Sequence, residues 1–318
     1  MTQESFRWAS LEDDGPRLFQ PARRVVGTGE YRSLTFHEVE SKTLINRVPE
    51  SSHVPFRYTI NPYRGCSHAC TYCFARPTHA YLGFDIGPDF DSQIVVKTNA
   101  VALARAETAP ARWAGDRIAM GTNTDPYQKA EGKYRLTQGI VEVLSDRRNP
   151  FSILTKSTLA LRDLDRFVEA VGRTQVSVDF SIATLDEDVW RETEPGTPHP
   201  RQRIAAVKRL NEAGVPSGVL VAPLLPGISD AEAQVAEVTK AAEDAGARFI
   251  TPMLLFLSPP VKPHWMRWLR NHRPELVSEY AHMYRNRSRL QPVTVRRRDP
   301  PEDPPEETMM DQLAFFGS

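Results

Sequence analysis

The chain has 318 residues, 40% of them hydrophobic and 25% charged, and its Lys plus Arg count of 40 equals its Asp plus Glu count. That length can bury one large core or two small ones. Zero net charge gives no overall electrostatic sign of a nucleic-acid binder, and no apolar run approaches the roughly 20 residues of a membrane span. The opening stretch, MTQESFRWASLEDDG, lacks the basic-then-apolar order of a secretory signal, so a cytoplasmic location is expected.

Residues 1–55 are polar, with Gly and Pro scattered through them, and read as a partly ordered N-terminal extension. From residue 56 the pattern changes to alternating strands and helices. Strands are expected at Tyr58–Asn61, Arg117–Gly121, Phe151–Thr155, Val176–Ile182, Gly218–Val221 and Phe249–Leu254, each short, apolar and rich in β-branched residues. Helices are expected at Leu159–Gly172, at Pro200–Ala213 before Gly214, and at Ser229–Ala245 before Gly246. Six strands each followed by a helix describe an α/β fold with a parallel sheet and helices outside, over residues 56–255. Residues 256–298 read as a helical basic segment in which Trp265, Trp268, Tyr280 and Tyr284 pack against the rest. Between Lys262 and Arg298 there are ten Lys or Arg against two Glu, either a solvated face or a phosphate-facing patch. Residues 299–318 form an acidic, Pro-rich tail expected to be disordered.

All three cysteines of the chain lie in one eight-residue window, Cys66, Cys70 and Cys73 in GCSHACTYCF. Three is the wrong number for a closed zinc site, which takes four protein ligands, and for a disulfide framework, which takes an even count. Zinc completed by His68 or His79 is one reading. Three thiolates on a four-iron cluster, with one iron left open, is the other and the stronger.

CxxxCxxC with an aromatic before its last cysteine resembles the signature of the radical S-adenosylmethionine superfamily. The resemblance implies a partial (β/α)6 TIM-type barrel, a [4Fe–4S] cluster on Cys66, Cys70 and Cys73, and S-adenosylmethionine bound through its amino and carboxylate groups to the open iron. It also implies a flavodoxin- or ferredoxin-like electron donor. The runs GTNTDPYQKAE, LTKSTLALRD and DFSIATLDEDVWRETEPGTPHPRQRIAAVKRLNEAGVPSGVLVAPLLPGISD are similar to the spore-photoproduct-lyase-like branch. By that similarity Lys156 matches a lysine for the cofactor carboxylate. Ser181 and Thr124 match cofactor-contacting hydroxyls. Tyr72 and Phe74 flank the last cysteine where adenine would be met. Glu194 and Arg203 either face the cavity or form a structural ion pair. Asp125, after TNT at a strand end, is a candidate for holding ribose or substrate; the alternative is a carboxylate bonded to its own loop. Tyr72 and Asp125 are the candidate catalytic residues.

The chain departs from the lyase at the hydrogen donor. The family uses a cysteine two residues before the cofactor-contacting hydroxyl, and here that position is Thr122, whose O–H bond is too strong for the task. Phe74 also stands where the lyase has a second tyrosine. The expected function is therefore a radical S-adenosylmethionine enzyme that abstracts hydrogen from another substrate, nucleic acid or nucleotide-like. Alternatives are a small-molecule or protein substrate, and a non-catalytic iron–sulfur protein associated with DNA or the sliding clamp. The last alternative draws on Gln312–Phe316, which resembles a clamp-binding peptide.

Overall fold

The computed structural model describes residues 21–288 apart from 51–53, 55, 110 and 112. The acidic tail, the clamp-like peptide and the basic residues after 288 lie outside the described residues. In chain order the strands are β1 (Arg23–Val26), β2 (Thr35–Val39), β3 (Ile45–Arg47), β4 (Tyr58–Ile60), β5 (Tyr63–Arg64), β6 (Gln93–Lys97), β7 (Ile118–Met120), β8 (Phe151–Thr155), β9 (Val176–Ser181), β10 (Val219–Leu224) and β11 (Ile250–Leu254). The helices are α1 (Pro88–Ser92), α2 (Ala100–Glu107), α3 (Lys129–Tyr134), α4 (Leu136–Asp146), α5 (Leu164–Val171), α6 (Glu187–Thr193), α7 (Pro200–Glu212), α8 (Glu232–Asp244), α9 (Lys262–His272) and α10 (Val277–Met283).

The main sheet has the order β11-β10-β9-β8-β7-β4-β3. Its six strands from β4 to β11 run parallel, and only β3 is antiparallel. Strands β11 and β3 form its two edges and do not pair with each other, so the sheet is an open, partial barrel, as expected. Ile118, Met120, Phe151, Ile153, Val178, Phe180, Val219 and Val221 are all buried in one core. Covered by helices, these strands read as apolar runs rather than alternating ones.

A second sheet, β1-β2-β6-β5, is built largely from residues with no expected strand. Its pairing of β2 with β6 is parallel and joins segments far apart in the chain, as at Phe36 and Ile94, which local periodicity cannot show. The expected helix from Leu159 begins as a 3-10 turn over Thr158–Asp163 before α5.

Two helix starts near the site are held by carboxylates. Asp186 accepts hydrogen bonds from the Asp188 and Val189 amides at the head of α6. Buried Glu131 accepts from the Thr137 and Gln138 amides at 2.9 and 3.1 Å, and so caps α4 from the preceding helix. The α9–α10 segment packs through Trp265, Trp268, Tyr280 and Tyr284, all at most 8% exposed, in a cluster that also contains Cys70 and Tyr72. Among the described residues no helix is long and apolar enough to cross a membrane.

Candidate active site

The cysteine loop follows β4 and β5 and lies at the C-terminal ends of the parallel strands, where sites form in barrels of this kind. Two tight turns fold it: the Ala69 amide donates to the Cys66 carbonyl at 3.2 Å, and the Cys73 amide to the Cys70 carbonyl at 3.3 Å. Cys66 and Cys70 are buried, Cys73 is partly so, and none is in a disulfide.

The loop is held from three sides. Thr124 Oγ1 donates to the Gly65 carbonyl at 2.6 Å and accepts from Gln128 Nε2 at 2.8 Å. Gln128 Nε2 also reaches the Gly65 carbonyl, and its Oε1 accepts from the Ser67 amide. The α6–α7 connection contributes Gly196, whose amide donates to the His68 carbonyl, and the Thr193 carbonyl, which accepts from the Thr71 amide. A Cβ on Gly196 would lie 2.1 Å from the Ser67 carbonyl oxygen, so the two backbones touch only because it is glycine. Underneath, Arg76 is 1% exposed and spends five N–H···O contacts on the Cys70, Ile86 and Gly87 carbonyls and the Asp91 carboxylate.

Strand β7 delivers the TNTD turn. Gly121 at its end has φ of +100° and a Cβ position 2.0 Å from the Leu154 carbonyl oxygen, a close approach open only to glycine. Asp125 then accepts from the Tyr127 amide, Thr155 Oγ1 and the Lys156 amide at 2.7 to 2.8 Å, and lies 3.3 Å from His68 Nδ1. Burial alone would raise its pKa. The His68 imidazole and these hydrogen bonds outweigh that and hold it below the ordinary carboxylate value. The carboxylate thus ties the cysteine loop to β7 and β8, and its own loop is among its partners. Thr122 exchanges hydrogen bonds with Asn61 and carries no thiol to the site.

From β8, Lys156 Nζ donates to Ser181 Oγ at 2.7 Å, lies 3.8 Å from Glu194 Oε1, and sits 5.9 Å from the Tyr72 ring centre. Its side chain is 16% exposed. Glu194 and Arg203 face each other at 2.6 Å, at 4% and 0% side-chain exposure. Arg203 also donates to the Pro198 and Ser181 carbonyls and to Thr197 Oγ1, and the Tyr72 hydroxyl donates to Glu194. Of the two readings of the EP…R stretch, the geometry is that of a structural ion pair. Phe74, partly buried, packs with Cys66, Ala75 and Phe90.

The site therefore gathers the three cysteines, Tyr72, Asp125, Lys156, Ser181 and Glu194 on one face. Sequence reasoning missed His68 as the partner of Asp125, Gln128 as the brace of the loop and Arg76 beneath it. The TNTDPYQ turn, which brings Gln128 Nε2 back to Thr124 Oγ1, was the available signal for Gln128.

Cys66, Cys70 and Cys73 lie together in one loop with no disulfide among them, a set of three thiol donors. His68 and His79, the candidates for completing a zinc site, face Asp125 and the Gln93 carbonyl. Burial pushes all three thiols up, and a bound metal group would favour their thiolates. Cys66, Cys70 and Cys73 would hold a metal group that takes three cysteine ligands.

A family model described as the Radical SAM superfamily matches residues 60–238. The uncharacterized protein Rv2578c of Mycobacterium tuberculosis is 45% identical over 269 residues, covering 85% of this chain and 79% of its own. Among solved structures, a mutant of spore photoproduct lyase with dinucleoside spore photoproduct aligns with a TM-score of 0.54 at 19% identity, over 80% of this chain and 72% of the lyase. A second lyase mutant gives 0.55 at 20% identity, over 74% and 66%. At such identity the likeness establishes the fold, and with it the open α/β barrel. The family match over more than half of the chain and the mycobacterial relative carry the further step: this chain belongs to the Radical SAM superfamily.

Proposed function

We propose that the protein is a radical S-adenosylmethionine enzyme in which Cys66, Cys70 and Cys73 hold a [4Fe–4S] cluster. The observation that carries this reading is the confinement of every thiol to one largely buried loop at the barrel mouth, beside the partly exposed Lys156. When bound, such a cluster supplies one electron that cleaves S-adenosylmethionine, and the resulting 5′-deoxyadenosyl radical abstracts hydrogen from the substrate. Lys156 is the cation for the cofactor carboxylate, held in place by Ser181 and Glu194. Glu194 and Arg203 support the site from behind. Thr124 acts through the loop it braces, and Asp125 fixes the turn beside the cofactor. Tyr72 and Phe74 border the adenine side.

The substrate is read as nucleic acid or a nucleotide-like molecule. This rests on the likeness to a lyase whose complex holds a dinucleoside photoproduct. The lyase reaction in its family form is not proposed, because Thr122 stands at the thiol position and the cysteines are all committed to the cluster. Hydrogen returns instead from Tyr72, from 5′-deoxyadenosine or from an external thiol.

The test is anaerobic reconstitution with iron and sulfide, followed by S-adenosylmethionine and dithionite, with 5′-deoxyadenosine read by mass spectrometry. Formation that disappears in Cys70→Ala and rises with damaged or undamaged DNA supports both parts. Formation unaffected by any nucleic acid would turn the substrate reading toward a small molecule or protein. A well-loaded cluster that forms none would overturn the enzyme reading.

A further inference from the structure

The C-terminal segment does more than cover the barrel. Its aromatic residues form a chain of ring contacts that begins at the cysteine loop and ends at solvent. The Tyr72 and Trp265 ring centres are 6.4 Å apart, edge to face. Trp265 and Trp268 stack at 4.7 Å and 15°. Trp268 and His272 stack at 4.8 Å and 9°. Tyr72 lies between Cys70 and Cys73, Trp265 is fully buried, Trp268 is 8% exposed, and His272 is exposed.

The surface at the outer end is basic. From Lys262 to Ser288 there are six Lys or Arg against two Glu. Arg267 and Arg270 stand one turn apart on the solvent face of α9, both exposed, and neither has an ion pair among the described residues. Arg273 is different: it is bound to Glu192 at 2.7 Å.

A cluster in this loop must be reduced from outside. The mouth is where cofactor and substrate would sit, so a donor needs another route. The α9 face offers one, in which packed rings run from solvent to the loop.

We propose that the basic outer face of α9, around Arg267, Arg270 and the exposed ring of His272, is the docking surface for a small acidic one-electron carrier protein. The Trp268–Trp265–Tyr72 chain of rings is the path of the electron to the cluster. The inference rests on the cluster reading above. In the step one electron leaves the carrier, which is oxidised, and the cluster gains it; no bond forms or breaks and no proton moves. The rings conduct by tunnelling through packed matter and are not themselves reduced. Opposite charges bring the partners together, so the arginines act on encounter rate and their effect weakens with salt.

The experiment follows loss of cluster absorbance in anaerobic stopped flow, with the reconstituted protein reduced either by photoreduced flavodoxin or by dithionite. R267E/R270E is expected to slow reduction by flavodoxin at least about 10-fold at low ionic strength, the gap closing as salt rises. Its rate with dithionite stays at the wild-type value. Trp268→Leu, with iron content checked, is expected to slow the flavodoxin reaction and keep its salt dependence. A wild-type flavodoxin rate in R267E/R270E overturns the proposal, and so does equal slowing with both reductants. If that variant loses affinity for a DNA oligonucleotide while its flavodoxin rate is unchanged, the face belongs to nucleic acid and the proposal falls. A wild-type protein that takes up no cluster would overturn the cluster reading itself, and this inference with it.

Discussion

Replacing Glu194 by Gln tests whether the site stands on a buried ion pair. The Glu194 carboxylate meets Arg203 at 2.6 Å, Lys156 at 3.8 Å and the Tyr72 hydroxyl, with 4% of its side chain exposed, and the Arg203 side chain is 0% exposed. Glu194→Gln would leave the guanidinium buried with no counter-charge, and with only the Pro198 and Ser181 carbonyls and Thr197 as its remaining partners. Breaking one half of a buried pair costs about 3–5 kcal/mol, a large part of a net stability on the order of 5–15 kcal/mol. Urea unfolding of the unloaded protein reads this as a lower midpoint. The double variant E194Q/R203M, which removes both members of the pair, should recover about 1–3 kcal/mol relative to the sum of the single changes. The pH dependence has a defined sign. Burial raises the Glu194 pKa, but Arg203, Lys156 and Tyr72 outweigh it, so the folded value lies below the ordinary 4.5. The stabilisation is therefore present above about pH 4.5 and is lost as pH falls through the lower folded value. Glu194→Gln should flatten that acid limb. A cost below about 1 kcal/mol, of the size of an exposed pair, would mean that Glu194 and Arg203 do not act as a buried pair.

Lys156→Met should weaken S-adenosylmethionine binding to the loaded protein by about 10- to 150-fold, the worth of a charge-assisted hydrogen bond, as read by equilibrium dialysis; affinity within about twofold of wild type would remove Lys156 from the cofactor site. Gly196→Ala forces a methyl into the Ser67 carbonyl, at a cost of about 1–3 kcal/mol, and should lower the iron retained per chain after reconstitution. Asp179 is buried, and desolvation pushes its pKa up to about 7 from 3.8, against the Gly218 amide and Ser177 hydroxyl that donate to it. The folded state then binds more protons than the unfolded between those values, so stability falls as pH rises from about 4 to 7. Asp179→Asn should remove that decline in thermal melts taken across the range.

The barrel strands were legible because most of them are largely buried, which leaves a short β-branched run between turn residues; the edge strand β11 is only partly buried. The observed β8, Phe151–Thr155, has the expected limits. The small sheet was not legible: β1 is RRVV with Val26 64% exposed, and β2 finds its parallel partner β6 far along the chain. At the site, residue types and strand ends pointed to the right side chains, whereas their partners depended on tertiary contacts. Nothing in TNTD says that Thr124 spends its hydroxyl on Gly65, or that Asp125 meets His68 from the cysteine loop. For Glu194 and Arg203 the residue types allowed either a cavity-facing or a paired arrangement, and only the fold could decide between them.

Electron paramagnetic resonance of the reconstituted, reduced protein, with and without S-adenosylmethionine, shows whether Cys66, Cys70 and Cys73 hold a cluster that meets the cofactor. The expected result is a reduced four-iron signal that changes shape when the cofactor is added, with Lys156→Met requiring more cofactor for the same change. A tightly bound zinc ion in place of iron, or a four-iron signal indifferent to S-adenosylmethionine at any concentration, would contradict it.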